Sequence, residues 1–221
     1  MPPPFRRSVA YGVYQHRLRD AIHALKYGRV YPAARGLGRL LAEAIAKLHG
    51  DAPMQMLVVP VPLHRSKYAQ RGFNQARLLA REALRSLGKS HPAWQLTLAP
   101  GTLMRLRVTA SQAGLTPRQR RENVRGAFSV SDPGAVAGKH VLMIDDIMTT
   151  GATARAAGKT LMRAGAESVW VATLARARRV YAEGGVLLED AEEMNDRAGQ
   201  QAAPVQANGM FRWNSSAGQP S

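Results

Sequence analysis

The chain has 221 residues, of which 31 are Lys or Arg and 15 are Asp or Glu, giving a formal net charge of +16. It contains no cysteine, which excludes disulfides, zinc–thiolate sites and thiol nucleophiles. No apolar run is long enough to span a membrane, and the start lacks the apolar core of a secretory signal. We therefore expect a cytoplasmic protein without membrane insertion.

The positive charge lies before residue 183. Residues 183–221 hold two basic and six acidic side chains, so residues 1–182 carry a formal charge of +20. A domain this basic is typical of proteins that bind nucleotides, diphosphate or nucleic acid. A generally basic proteome would give the same composition, so charge alone does not establish a polyanionic partner.

In chain order, the apolar periodicity predicts helices that alternate with strands. Helices are predicted at 14–27, 36–48, 74–87 and 152–164, and strands at 54–61, 96–98, 140–144 and 168–174. Asn74 is a candidate cap at the start of the third helix, and Gly88 is its predicted end. This alternation indicates an α/β fold with a mostly parallel sheet. Residues 198–221, rich in Gly, Gln, Ala and Ser, predict a largely disordered tail.

The segment 140–166 carries the clearest functional signal. An apolar strand runs into Asp145 and Asp146, and a turn of Thr149, Thr150, Gly151, Ala152 and Thr153 then opens a helix. Backbone N–H groups at a helix start, with threonine hydroxyls beside them, bind phosphate. Two carboxylates would repel that phosphate, so we interpret them as acceptors for sugar hydroxyls, which points to a ribose phosphate. The alternative is an ordinary strand-to-helix turn with solvated acids.

This segment resembles the phosphoribosyl-diphosphate (PRPP) motif of type I phosphoribosyltransferases. The resemblance implies that Asp145 and Asp146 hold the ribose 2′- and 3′-hydroxyls. It also implies that residues 149–153 hold the 5′-phosphate.

A second segment, 58–77, follows another predicted strand. Val61, Pro62, Leu63 and His64 come first, and the cations Arg65, Lys67 and Arg71 follow. A diphosphate leaving group needs such amides and cations, and the alternative is a stiff loop with solvated cations. We predict the diphosphate contacts at 61–64 and Arg71.

Residues 103–125 form a long arginine-rich segment that includes Arg105, Arg107, Gln112 and Arg121. Three interpretations stay open for it. The first is a flexible lid over the diphosphate, the second is a surface that follows the phosphates of single-stranded DNA, and the third is a solvated basic loop.

Five ordered motifs together are similar to the ComF family, phosphoribosyltransferase-like proteins associated with natural competence. They are LKYGR (25–29), VPVPLH with RGFNQA (59–64 and 71–76), R-x-R-x-T-x-x-Q (105–112), R-x-N-V-x-x-A-F (121–128) and IDDIMTTGAT (144–153). Family members often begin with a four-cysteine zinc module, which this sequence does not contain.

The resemblance implies a type I phosphoribosyltransferase-like fold with an N-terminal helical hood and a flexible basic loop. We expect the hood at 1–50, the core at 51–182 and a C-terminal extension at 183–221. It also implies PRPP binding with Mg²⁺, a transferase of the pentosyl type, and a role in DNA uptake alongside other competence proteins.

Three functions stay open at this stage. The first is a PRPP-binding protein that supports DNA uptake and contacts single-stranded DNA. The second is a metabolic phosphoribosyltransferase for a base or amine acceptor. The third is a PRPP- or DNA-binding module without catalysis.

Overall fold

The computed structural model describes residues 2–27, 31–106 and 126–177. The first half of the chain forms β1 (Ser8–Val13), α1 (His16–Tyr27), α2 (Tyr31–Ala46), β2 (Gln55–Pro60), α3 (Arg65–Arg71) and α4 (Gln75–Ser90). The second half forms β3 (Gln95–Leu98), β4 (Leu103–Arg105), β5 (Phe128–Val130), β6 (His140–Met148), α5 (Ala152–Arg163) and β7 (Ser168–Arg176).

Within the described ranges, five strands form one parallel sheet in the order β1-β7-β6-β2-β3. Strands β4 and β5 form a separate antiparallel ribbon. The predicted α/β architecture with a parallel sheet flanked by helices is confirmed. The predicted end of the third helix is wrong, because α4 continues through Gly88 to Ser90 and His91 caps it.

The sheet separates two apolar layers, and strand β6 contributes to both. Leu142 and Ile144 pack into the layer built by α1, α2 and α4, whereas Val141 and Met143 pack into the layer with α5 and the ribbon. All four side chains are fully buried. Because successive side chains of a strand point to opposite faces, a strand covered on both faces needs an unbroken apolar run, which is how this segment reads in sequence.

Residues 1–50, the expected hood, also contribute to the sheet. Strand β1 pairs with β7 at one edge, with Val9 opposite Ala172. Helix α2 packs closely on α4: a Cβ added at Gly38 would lie 2.3 Å from the Cβ of Glu82. Gly38 therefore allows a close approach of α2 to α4, two of the three helices of the first layer.

The expected extension at 183–221 and most of the arginine-rich segment lie outside the described residues. In the three described ranges, no helix is both long and apolar enough to cross a membrane.

Candidate functional site

The two segments singled out in the sequence meet at one edge of the sheet. Strands β2 and β6 are parallel neighbours, with Val58 opposite Leu142 and Pro60 opposite Ile144. Their carboxyl ends therefore lie side by side, and Val61 after β2 lines the same small cavity as Thr149, Gly151 and Thr153 after β6. Open α/β sheets bind their ligands at this edge.

Asp145 and Asp146 occupy the end of β6, where the backbone directs them to different surroundings. Asp145 is partly exposed and lines a small cavity with Thr149, Gly151 and Thr153. The cavity volume of ≈ 20 Å³ is enough for one water molecule. Asp146 is only 5% exposed and lies on the side of α1 and α4.

Asp146 is held by donors from three elements. Lys26 Nζ, at the end of α1, lies 3.1 Å from Asp146 Oδ2, and both side chains are buried. Gln75 Nε2, at the start of α4, donates to the same oxygen at 3.3 Å. The backbone N–H of Ile147 donates to Asp146 Oδ1 at 2.8 Å. Lys26 and Gln75 were not predicted as site residues, although both fall within the motifs LKYGR and RGFNQA.

The two acids have opposite pKa shifts. Burial raises the pKa of Asp145 well above its ordinary value, and the charge of Asp146 raises it further. Burial also raises the pKa of Asp146, but the charge and hydrogen bond of Lys26, the hydrogen bond with Asp145 and the charge of Arg71 together outweigh burial, so that pKa lies below its ordinary value. Carboxyls in close contact do not both ionise easily, so the pair favours one charge, on Asp146.

The turn after β6 has the backbone of an anion-binding loop. Gly151 is the N-cap of α5 with φ of 72°, in the left-handed region, and as a glycine it makes no side-chain cap. Thr150 Oγ1 accepts from the N–H of Ala152 at 3.3 Å, and Arg155 Nη2 donates to the carbonyl of Thr150 at 2.8 Å. The first-turn N–H groups of a helix have no intrahelical acceptor, so those of Thr153 and Ala154 are available to an anion.

The turn after β2 offers fewer amides than the sequence predicted. The N–H of Val61 already donates to the carbonyl of Ile144 at 2.8 Å, and Pro62 has no N–H. In the described part of the chain, the amides of Leu63 and His64 have no such acceptor. His64 also starts helix α3, because its Nδ1 accepts from the N–H of Ser66 at 3.2 Å.

Arg71 ends helix α3 and faces the acid pair. Its Nη2 donates to the hydroxyl of Tyr27 at 3.3 Å, and the guanidinium carbon lies 5.1 Å from the centre of that ring. Its charge is among those that lower the pKa of Asp146. Its charge therefore acts on the acid pair, and its predicted role in diphosphate binding stays a prediction.

Arg105 lies on the ribbon strand β4, next to Asp145. Its guanidinium carbon is 5.5 Å from the ring centre of Phe128. Burial lowers the pKa of Arg105, and the carboxylate of Asp145 opposes that shift. Arg107, Gln112 and Arg121, predicted with it, lie outside the described residues.

The assembled site joins an acid pair, an anion-binding helix start and two cations at one sheet edge. Such a site suits a ligand with a phosphate at one end, hydroxyl donors in the middle and further negative charge at the other end. The fold and this site together define a phosphoribosyltransferase-type domain.

Comparisons with known proteins agree with that class. The family described as "Phosphoribosyl transferase domain" matches residues 74–184. DNA utilization protein YhgH of Salmonella typhi is 36% identical over 177 residues, 79% of this chain and 74% of that protein. Competence protein F of Haemophilus influenzae is 31% identical over 178 residues, 79% of this chain and 75% of that protein.

The chain therefore belongs to the ComF family of phosphoribosyl transferase domain proteins, as the sequence motifs predicted. Among solved structures, a hypoxanthine phosphoribosyltransferase from Staphylococcus aureus matches with a TM-score of 0.39 and 15% identity, over 70% of this chain and 72% of that one. That similarity is too weak to support an argument about function.

Proposed function

We propose that this protein binds PRPP with Mg²⁺ at the sheet edge described above and supports DNA uptake in the cytoplasm. The observation that supports this most is the parallel pairing of β2 and β6, which brings the acid pair, the Thr149–Thr153 turn and the 61–64 turn together. PRPP has the matching order of groups: a 5′-phosphate, two ribose hydroxyls and a diphosphate.

In this proposal, residues 149–153 receive the 5′-phosphate, and the acid pair Asp145 and Asp146 serves the ribose hydroxyls. Arg71 and Arg105 face the diphosphate, together with the free amides of Leu63 and His64. The available N–H groups of the first turn of α5 and the absence of a side-chain cap at Gly151 favour an anion there. Carboxyl oxygens accept hydrogen bonds from hydroxyls, and a protonated carboxyl also donates one, which suits the acids to the sugar.

The residues fit a Mg²⁺ ion carried largely by the oxygens of the ligand. No group of three or more His, Asp or Glu side chains that could hold a metal occurs in the described residues. The partly exposed carboxyl of Asp145 and the hydroxyls of Thr149 and Thr150 are hard oxygen donors of the type that Mg²⁺ prefers. When bound, the ion would neutralise charge on the diphosphate.

A transfer reaction at this site would break the bond between ribose C1 and the diphosphate and form a bond from C1 to the acceptor. The diphosphate leaves with the bonding electron pair, so negative charge grows where Arg71 and Arg105 lie. Fixed cations and amides at that position stabilise the transition state. The protein would contribute positioning and charge, and the acceptor would be a base or an amine.

Diphosphate release measured across a panel of bases and amines tests the transferase part of the proposal. Release with one acceptor, lost in Asp145→Asn, supports it. PRPP binding without release for any acceptor would instead indicate a non-catalytic PRPP-binding protein.

The link to DNA rests on the names of the relatives and on the +20 charge of residues 1–182. We propose that single-stranded DNA is a second ligand, bound by basic side chains of residues 1–182. Transformation frequency in a deletion strain, complemented with the wild type or with Asp145→Asn, tests the role in uptake. Equal rescue by both would separate DNA uptake from PRPP binding.

A further inference from the structure

The buried pair of Lys26 and Asp146 is the least expected feature of the site. Their side chains are only 4% and 8% exposed, and the Nζ–Oδ2 distance is 3.1 Å. Removing two charges from water costs more than their attraction usually returns, so a buried pair is weak evidence of a stability role. Its position, directly behind the acid that lines the cavity, suggests a role in the site.

The hydrogen bonds distinguish the two acids. Asp146 accepts from Lys26 and Gln75 on one oxygen and from the N–H of Ile147 on the other. Asp145 accepts from the N–H of Asp146 at 2.9 Å, and Asp145, not Asp146, lines the cavity beside the threonine turn. Both oxygens of Asp146 therefore already accept hydrogen bonds from the protein, whereas the carboxyl of Asp145 faces the ligand space.

We propose that Lys26 is a positioning residue, which acts through Asp146 to hold the acid pair so that Asp145 contacts the ribose. The inference rests on the proposed function and gives the two acids different roles: Asp145 contacts the ligand, and Asp146 holds Asp145 in place. Lys26 neutralises the charge of Asp146, which would otherwise repel both Asp145 and a phosphorylated ligand. It also fixes the last turn of α1, which carries Tyr27 and through it Arg71, over the site.

The test is a calorimetric titration of PRPP with Mg²⁺ into the full chain and four variants. Lys26→Met leaves the Asp146 charge unbalanced, and Lys26→Met with Asp146→Asn removes both charges. Asp145→Asn applies the same change to the neighbouring acid. Lys89→Met, at an exposed lysine near the end of α4, is the matched control. Ligand-free thermal midpoints separate a loss of folding from a loss of binding.

We expect Lys26→Met to weaken PRPP binding about 10- to 100-fold, by analogy with the loss of groups that hold the ligands of a metal ion. Adding Asp146→Asn should recover at least about tenfold of that loss, because the unbalanced buried charge is gone. Asp145→Asn should not bind. Lys89→Met should bind as the parent does.

Three results would overturn the inference. One is unchanged affinity in a folded Lys26→Met variant, and another is a folded double variant as weak as Asp145→Asn. If Lys26→Met does not fold, the PRPP affinity of the double variant, compared with that of Asp145→Asn, still tests the inference. The third is a parent protein that does not bind PRPP, in which case the proposed function fails too. If the parent binds PRPP and only the variants behave differently from expectation, the proposed function stands and the role of Lys26 does not.

Discussion

Lys26 Nζ and Asp146 Oδ2 lie 3.1 Å apart in a buried contact that joins the last turn of α1 to the end of β6. This contact connects the N-terminal helices with the strand that carries the acid pair. It also lowers the pKa of Asp146 against the effect of burial. The stability of the protein should therefore depend on each acid in a different way.

Asp146→Asn should destabilise the protein by about 3 kcal/mol, because it leaves the Lys26 ammonium buried without its counter-charge. The folded-state pKa of Asp146 is lowered, so its contribution is present above its ordinary value of 3.8 and is lost as the pH falls through the folded value. Urea unfolding at several pH values measures this. A variant as stable as the parent at neutral pH would contradict the pairing.

Asp145→Asn should stabilise the protein by about 1 kcal/mol at neutral pH, as replacement of a destabilised functional group often does. The folded-state pKa of Asp145 is raised, so the acid favours folding only while it is protonated, and this contribution is lost as the pH rises through the folded value. The gain should disappear below about pH 4, where the acid is protonated in both states. Loss of stability in Asp145→Asn at neutral pH would contradict this sign.

Gly151→Ala should weaken PRPP binding and cost about 1–2 kcal/mol of folding stability, because a residue with a Cβ is strained at φ of 72°. The nearest atoms to that Cβ lie 3.7 Å away, so the cost is not crowding. Gly165→Ala, at φ of 91° after α5, is the control with a similar backbone cost away from the turn. Calorimetry and thermal unfolding measure both effects. Equal PRPP affinity in the two variants would argue against phosphate binding at 149–153.

Gly38→Ala should destabilise the protein by about 1–3 kcal/mol, because its Cβ would lie 2.3 Å from Glu82 Cβ and 3.1 Å from the Glu82 backbone carbon. Gly36→Ala, in the same helix, meets no atom within 4 Å and should stabilise it by about 0.5–1 kcal/mol. Thermal unfolding of the two variants measures the difference. Equal midpoints would contradict the close packing of α2 on α4.

The sequence predicted those elements whose signals are local. The apolar run of β6 is visible because the strand is buried on both faces, although the strand extends to Met148, past the acids. Asn74 was recognised as a cap, and its side chain accepts from the N–H of Arg77 at 3.2 Å. The two turns were predicted to lie side by side if their strands were neighbours in the sheet. The parallel pairing of β2 with β6 meets that condition.

Of three features that were not predicted, two depend on partners distant in the chain and one lacks an apolar pattern. Strand β1 lies at the sheet edge, where the apolar side chains of Tyr11 and Val13 stay exposed, so its pairing with β7 is what shows that it belongs to the sheet. Helix α3 has no buried residue and therefore no apolar stripe. Lys26 reads as an ordinary basic residue in the last turn of a helix, and only its contact with Asp146 shows its place in the site.

The central claim is that this sheet edge binds PRPP. The most direct test is calorimetric titration of PRPP with Mg²⁺ into the protein and into the Asp145→Asn/Asp146→Asn double variant, with circular dichroism to confirm folding. We predict binding to the wild type and none to the folded double variant. The same affinity in both, or no binding to the wild type, would contradict the account.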